Sequence, residues 1–259
     1  MKRSSLRFFL FAAAGAIFAP ATASAQDPFE IQVYEYETVP KGRWNLETHF
    51  NYTFKGTTAA EGSVAPTRHQ THLMFELTRG ITRHFELAGY LVLANRPGAG
   101  SEVAGFRIRP RVMVPREWHW PVDVSLSTEL GFPKKAYEEA SSTLEIRPII
   151  EKRFGALQVD LNPVLGRALS GPGSGQGWNF EPGVRLGVAA FPKLELSLEY
   201  YGALGPVDAW LPRGEQVHQF FFGWDYQFSD TIVWNFGIGQ GATKAGNRSV
   251  LKMRLGWMF

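Results

Sequence analysis

Residues 250–259 read Val-Leu-Lys-Met-Arg-Leu-Gly-Trp-Met-Phe. Leu251, Met253, Leu255, Trp257 and Phe259 fall on one face, and Lys252, Arg254 and Gly256 on the other. Period two marks a β-strand with one apolar face. The same alternation recurs upstream at about 44–54, 69–78, 85–94, 103–114, 122–132, 143–154, 157–165, 180–189, 194–201, 217–226 and 232–240. The sharpest case is 103–114, where Phe106, Ile108, Val112 and Val114 alternate with Arg107, Arg109 and Arg111.

With the last segment this gives about twelve strands, an even number. Gly- and Pro-rich stretches punctuate them. Long loops are expected after the odd strands and shorter turns after the even ones. Exposed strands in water need no unbroken apolar face, and a soluble sandwich gives no reason for that parity. The expected fold class is therefore all-β: a closed antiparallel transmembrane β-barrel with lipid outside and a polar lumen inside. Closure removes the sheet edges that lipid cannot satisfy. Pro110, Pro148, Pro163 and Pro182 interrupt the expected strands and should sit at bulges or near the rims.

The inward faces supply the candidate lumen lining. The first strands contribute Glu47, His49, Glu76 and Glu86. Arg107, Arg109 and Arg111 then face Asp123 and Glu129. Glu145, Arg147, Glu151 and Asp160 follow, then Glu181, Arg185, Glu195 and Glu199. Asp225, Lys252 and Arg254 complete the set. Both signs are present, so these charges can pair and close the lumen or form a field that selects solutes.

Composition adjusts the picture at the start of the chain. Lys2, Arg3 and Arg7 precede an apolar run, and Ala23-Ser24-Ala25 offers a small-residue cleavage site. Residues 1–25 read as an export signal removed after Ala25. Residues 26–42 read as a periplasmic lead-in that packs under or into the barrel, and 43–259 as the barrel itself. The chain has 27 basic and 24 acidic residues, and the signal holds three of the basic ones. The remainder is formally neutral, which removes the case for nucleic acid. There are no cysteines, and aromatics make up 14%. That aromatic content fits interfacial girdles.

Two resemblances follow. The last strand resembles the closing strand of bacterial outer-membrane barrels. That likeness implies an assembly signal, carried by Leu255, Trp257 and Phe259, for the barrel-assembly machinery. Further motifs are Gly80-Ile81-Thr82 with Phe85-Glu86-Leu87, and Glu151-Lys152-Arg153-Phe154-Gly155 with Asn162-Pro163. With Glu181-Pro182-Gly183-Val184-Arg185 and the aromatic end, they resemble the outer-membrane barrels related to the phenol meta-pathway degradation transporters. That resemblance implies passage of a small molecule, with aromatic or hydrophobic solutes among the candidates. It supplies no catalytic residues.

The first expectation is thus a passive outer-membrane channel. Its environment is outer-membrane lipid and lipopolysaccharide. A membrane hydrolase is the enzymatic alternative and needs a Ser–His pair. The six histidines, His49, His69, His72, His84, His119 and His218, show no spacing of that kind. His69 and His72 lie three apart, on opposite faces of a strand, so no metal is expected, and no cofactor either. A third possibility is a closed docking barrel acting through its loops, with Trp178, Trp210 and Leu211 as apolar contacts.

Overall fold

The computed structural model describes residues 27–259. The expected signal, 1–25, lies outside the described residues. Twelve strands build one wall. They are β1 (Trp44–Lys55), β2 (Thr71–Gly80), β3 (Phe85–Arg96), β4 (Gly100–Met113), β5 (Asp123–Pro133) and β6 (Ser142–Phe154). Then come β7 (Leu157–Ser170), β8 (Asn179–Phe191), β9 (Leu194–Ala203), β10 (Val217–Ser229), β11 (Ile232–Gly241) and β12 (Ser249–Met258). Each pairs antiparallel with the next, and β12 pairs with β1 to close the barrel. A two-residue piece, Gly205–Pro206, extends the pairing of β8 at one rim.

Alternation sets which side each residue faces. Along β4, Phe106 is 55% and Ile108 51% exposed, while Arg109 is 3% and Arg111 6% exposed. In water that arrangement would be inverted. It is stable where the outer surface meets hydrocarbon and the inner surface meets charge partners. One rim carries the start of β1 and the end of β12 and is here named the terminal rim. Trp44, Phe154, Phe191, Phe228, Trp257 and Phe259 stand exposed there. Such a ring of aromatics suits a membrane–water boundary. The seam is fastened at this rim by two backbone hydrogen bonds. Trp44 N donates to Phe259 O at 2.8 Å, and Phe259 N donates to Trp44 O at 2.9 Å.

Two expectations need correction. Strands β3 and β4 are joined by residues 97–99 alone, because Asn95, Arg96, Gly100 and Ser101 pair as strand. The β4–β5 connection is longer, 114–122, and holds a short 3-10 helix, Arg116–Trp118. Loop parity therefore fails at this one pair of connections. Pro110, Pro148 and Pro163 do not mark bulges either. Bridge pairing in β4–β5 stops at Ile108↔Leu130 and resumes at Arg111↔Ser127, spanning Pro110. In β6–β7 it stops at Ile146↔Leu165 and resumes at Ile150↔Leu161, spanning Pro148 and Pro163. Proline lacks the N–H that a ladder needs, so these gaps lie in mid-wall.

Candidate functional site: a segment seated in the lumen

Residues 27–39 run through the interior. The 27–29 end lies near the rim opposite the terminal one, and Pro40 leaves at the terminal rim beside Gly80. A side chain at Gly80 would collide with the carbonyl oxygens of Val39 and Pro40, so glycine permits the close crossing. Gly42 N then donates to Gly80 O at 2.9 Å.

The segment is extended but belongs to no sheet. Its backbone groups are met by wall side chains instead. Asn162 does so twice: its Oδ1 accepts from Tyr34 N at 2.7 Å, and its Nδ2 donates to Tyr34 O at 3.0 Å. Glu151 accepts from Tyr36 N at 3.0 Å, and Glu86 accepts from Val39 N. Asn51 Nδ2 donates to Pro28 O and Phe29 O at 3.0 and 2.9 Å. Lys252 Nζ donates to Ile31 O at 3.2 Å.

Apolar side chains of the segment meet two apolar patches on the inner wall. Phe29 lies in a cluster with Met74, Tyr90 and Val92, and its ring stands 5.4 Å from that of Tyr137. Ile31 and Val33 join Tyr201, Phe221 and Val250. These wall residues were missing from the expected lumen set. The signal was present as unbroken apolar triplets, Leu73-Met74-Phe75, Leu91-Val92-Leu93 and Phe220-Phe221-Phe222. In an alternating strand a triplet means that the inner face also has an apolar partner.

Charges fill the remaining interior. The Tyr34 ring sits against three guanidiniums, Arg147 at 4.4 Å, Arg109 at 5.0 Å and Arg111 at 5.6 Å. Arg107 pairs with Asp27 and with Glu129 at 3.1 Å. Arg109 pairs with Glu76 and with Glu86 at 2.8 Å, and Arg111 reaches Glu86 at 3.2 Å. Arg147 takes Glu145 at 2.7 Å. Arg185 gathers Asp160 at 3.2 Å, Asp225 at 3.1 Å and Glu195. Lys252 pairs with Glu199, and Arg254 with Glu47 at 3.0 Å. At the terminal rim Glu151 meets Arg153 at 3.0 Å, and Asp123 meets Arg116 at 3.2 Å. His49 lies 3.4 Å from Glu47. Glu181, half-buried on β8, enters no ion pair among the described residues.

Between Ile31, Val33 and Glu35 of the segment and Arg185, Asp225 and Lys252 of the wall, a cavity measures about 10 Å³, room for about one water. A vestibule of about 610 Å³ opens at the terminal rim, lined by Glu37, Arg116, Trp120, Asp123, Lys152 and Arg153. Above Phe29, burial pushes the Glu138 carboxyl in the loop 134–141 above its usual range. Burial, with a hydrogen bond to Glu102, raises the neighbouring Tyr137 phenol to about 12.

The histidine rings do not form a hydrolytic pair. Among the described residues, the ring nitrogens of His69, His72 and His218 meet Tyr52, Arg68, Gln70, Tyr200 and Gln216, and those of His49 lie near glutamates. None meets a serine.

The wall, the exposed apolar belt and the charged interior define a closed twelve-stranded barrel of the outer-membrane type. Comparison with solved structures agrees at the level of fold. The COG4313 outer membrane channel from Pseudomonas putida F1 superimposes with a TM-score of 0.59 at 14% identity, covering 89% of this chain and 100% of that one. The KdgM porin superimposes with a TM-score of 0.52 at 7% identity, covering 83% of this chain and 99% of the other. No family profile matches the chain. No curated protein matches it either.

Proposed function

We propose that this barrel is a passive outer-membrane channel for a small solute, held shut here by residues 27–39. The observation that carries the reading is how the segment is seated. It is fixed by side-chain hydrogen bonds and ion pairs to the wall rather than by a sheet ladder. Such contacts can be exchanged for water, so the segment can leave without opening the wall. On this reading the terminal rim faces the periplasm and the vestibule lies on that side.

The solute class proposed is small and aromatic or hydrophobic. Withdrawal of Phe29, Ile31 and Val33 would uncover the inner-wall patches around Tyr90 and Val92 and around Tyr201 and Phe221. Those surfaces suit flat apolar groups, and the flanking arginines suit a polar substituent on them. The resemblance to the phenol meta-pathway barrels points to the same class. Lipopolysaccharide and lipid would contact the outer belt. The exposed face of β12, with Leu255, Trp257 and Phe259, would be read by the assembly machinery during insertion. Export by a cleaved 1–25 signal belongs to the same proposal.

Planar-bilayer conductance tests it. A variant lacking residues 27–39 should show stable unitary steps several-fold larger than the intact barrel. A heat-dependent gel shift must first show that both have folded. Steps of equal size in both proteins would count against the segment as the closing element. Silence from both would favour a shut docking barrel.

A further inference from the structure

We propose that Glu47, His49 and Glu76 form a binding site for a divalent first-row transition-metal cation in the barrel wall. The inference does not depend on whether a solute passes. Glu47 and His49 are two apart on β1, so they share the inner face. Glu76 on β2 is the direct cross-strand partner of Glu47. One ligand atom from each residue can be chosen so that all three lie within 4.8 Å of one another.

Like charges placed directly opposite on neighbouring strands are destabilising unless a cation lies between them. Arginines supply part of that charge, and they leave a gap. Glu47 Oε1 is taken by Arg254 at 3.0 Å and by Asn45 Nδ2 at 3.2 Å. Glu76 Oε1 is taken by Arg109 and by Thr78 Oγ1 at 2.8 Å. Both arginines are shared with a second carboxylate, Arg254 with Asp225 and Arg109 with Glu86. The Oε1 atoms are thus held from outside, and both Oε2 atoms turn toward His49 Nε2. That nitrogen is 3.4 Å from Glu47 Oε2 and 4.0 Å from Glu76 Oε2.

Two of these atoms are orphans. His49 Nε2 and Glu76 Oε2 are buried and make no hydrogen bond, and each residue is 2% exposed. A buried polar atom without a partner is costly, and here two of them converge. A cation satisfies both at once. One separation already has the tetrahedral value: ligands about 2.0–2.1 Å from zinc lie about 3.4 Å apart, as His49 Nε2 and Glu47 Oε2 do, and Glu76 Oε2 has to draw in from 4.0 Å. One imidazole and two carboxylates match the preference of zinc and its neighbours. The arginine, asparagine and threonine contacts would act as the outer shell that orients the ligands.

The test is calorimetric titration of zinc into the chelator-treated, folded full-length barrel in detergent. The expected result is one equivalent bound, with that binding lost in His49→Gln. The gel shift reports whether the variant is folded. If the variant fails to fold, X-ray absorption of the zinc-loaded native barrel decides: one imidazole with oxygen ligands is expected. No binding, binding unchanged in folded His49→Gln, or a site with two or more imidazoles would overturn the proposal.

Discussion

Asn162 does at one position what a neighbouring strand would do at two. Its amide accepts from and donates to the backbone of Tyr34, as a ladder partner would. It lies in the stretch of β7 where pairing to β6 lapses, and so does Arg147 on the β6 side. Arg109 and Glu129 lie at the other lapse. Three inward groups at these gaps thus reach Tyr34: Asn162 by hydrogen bonds, Arg147 and Arg109 against its ring. Replacing Asn162 with Ala should leave the Tyr34 N–H and C=O without protein partners, a loss of about 1–3 kcal/mol in seating. Amide exchange across 30–38 should quicken while exchange in the strands and the gel shift stay as in the native protein. Equal protection in both proteins would show that Asn162 is not a clamp. Charge placement was legible in the sequence because alternation fixes sides. The pairing of charges was not, because Arg109 meets Glu76 across 33 positions and Arg254 meets Glu47 across 207.

Strands were the most legible elements, since period two survives single substitutions. Their ends were less so. Glycines at 98 and 100 read as one loop, yet both adopt positive φ and permit a connection of only three residues between long strands. The prolines also read differently in isolation. Alternation alone could not tell a bulge from a lapse in pairing with the register kept on both sides. The loop 134–141 covers Phe29 through Tyr137, and its Glu138 is raised by burial. A raised carboxyl favours the ordered loop fully below the ordinary carboxylate range, and that contribution is lost as pH rises through the raised value. Exchange of the 135–140 amides, corrected for intrinsic rates, should therefore quicken as pH rises from below the ordinary carboxylate range to pH 8. Glu138→Gln should flatten the difference. A pH effect that persists in Glu138→Gln would assign it to another group.

At the scale of the whole molecule, wall and interior are stabilised by opposite means. The wall closes its hydrogen bonds on itself and shows apolar groups to lipid. The interior is a network of paired charges with two apolar patches, and removing one partner of a buried pair costs about 3–5 kcal/mol. The segment completes both, covering the patches, adding the carboxylates of Asp27 and Glu30 to the charges and setting the Tyr34 ring among the arginines. Residues 26–42 could be foreseen as packing against the barrel. Their path could not, because an extended strap has no periodicity to read and its partners are distributed over many strands.

The most direct measurement uses the absence of cysteine from the chain. A side chain built at Gly183 would lie 3.4 Å from Val33 Cγ2, so Val33→Cys with Gly183→Cys can tie the segment to β8. Single-channel conductance would be recorded before and after reduction on the same folded protein. Closure by residues 27–39 requires small or absent steps when the pair is oxidised and larger steps when it is reduced. Equal conductance in the two states, with the disulfide shown to form and break, would contradict the segment's role as the gate.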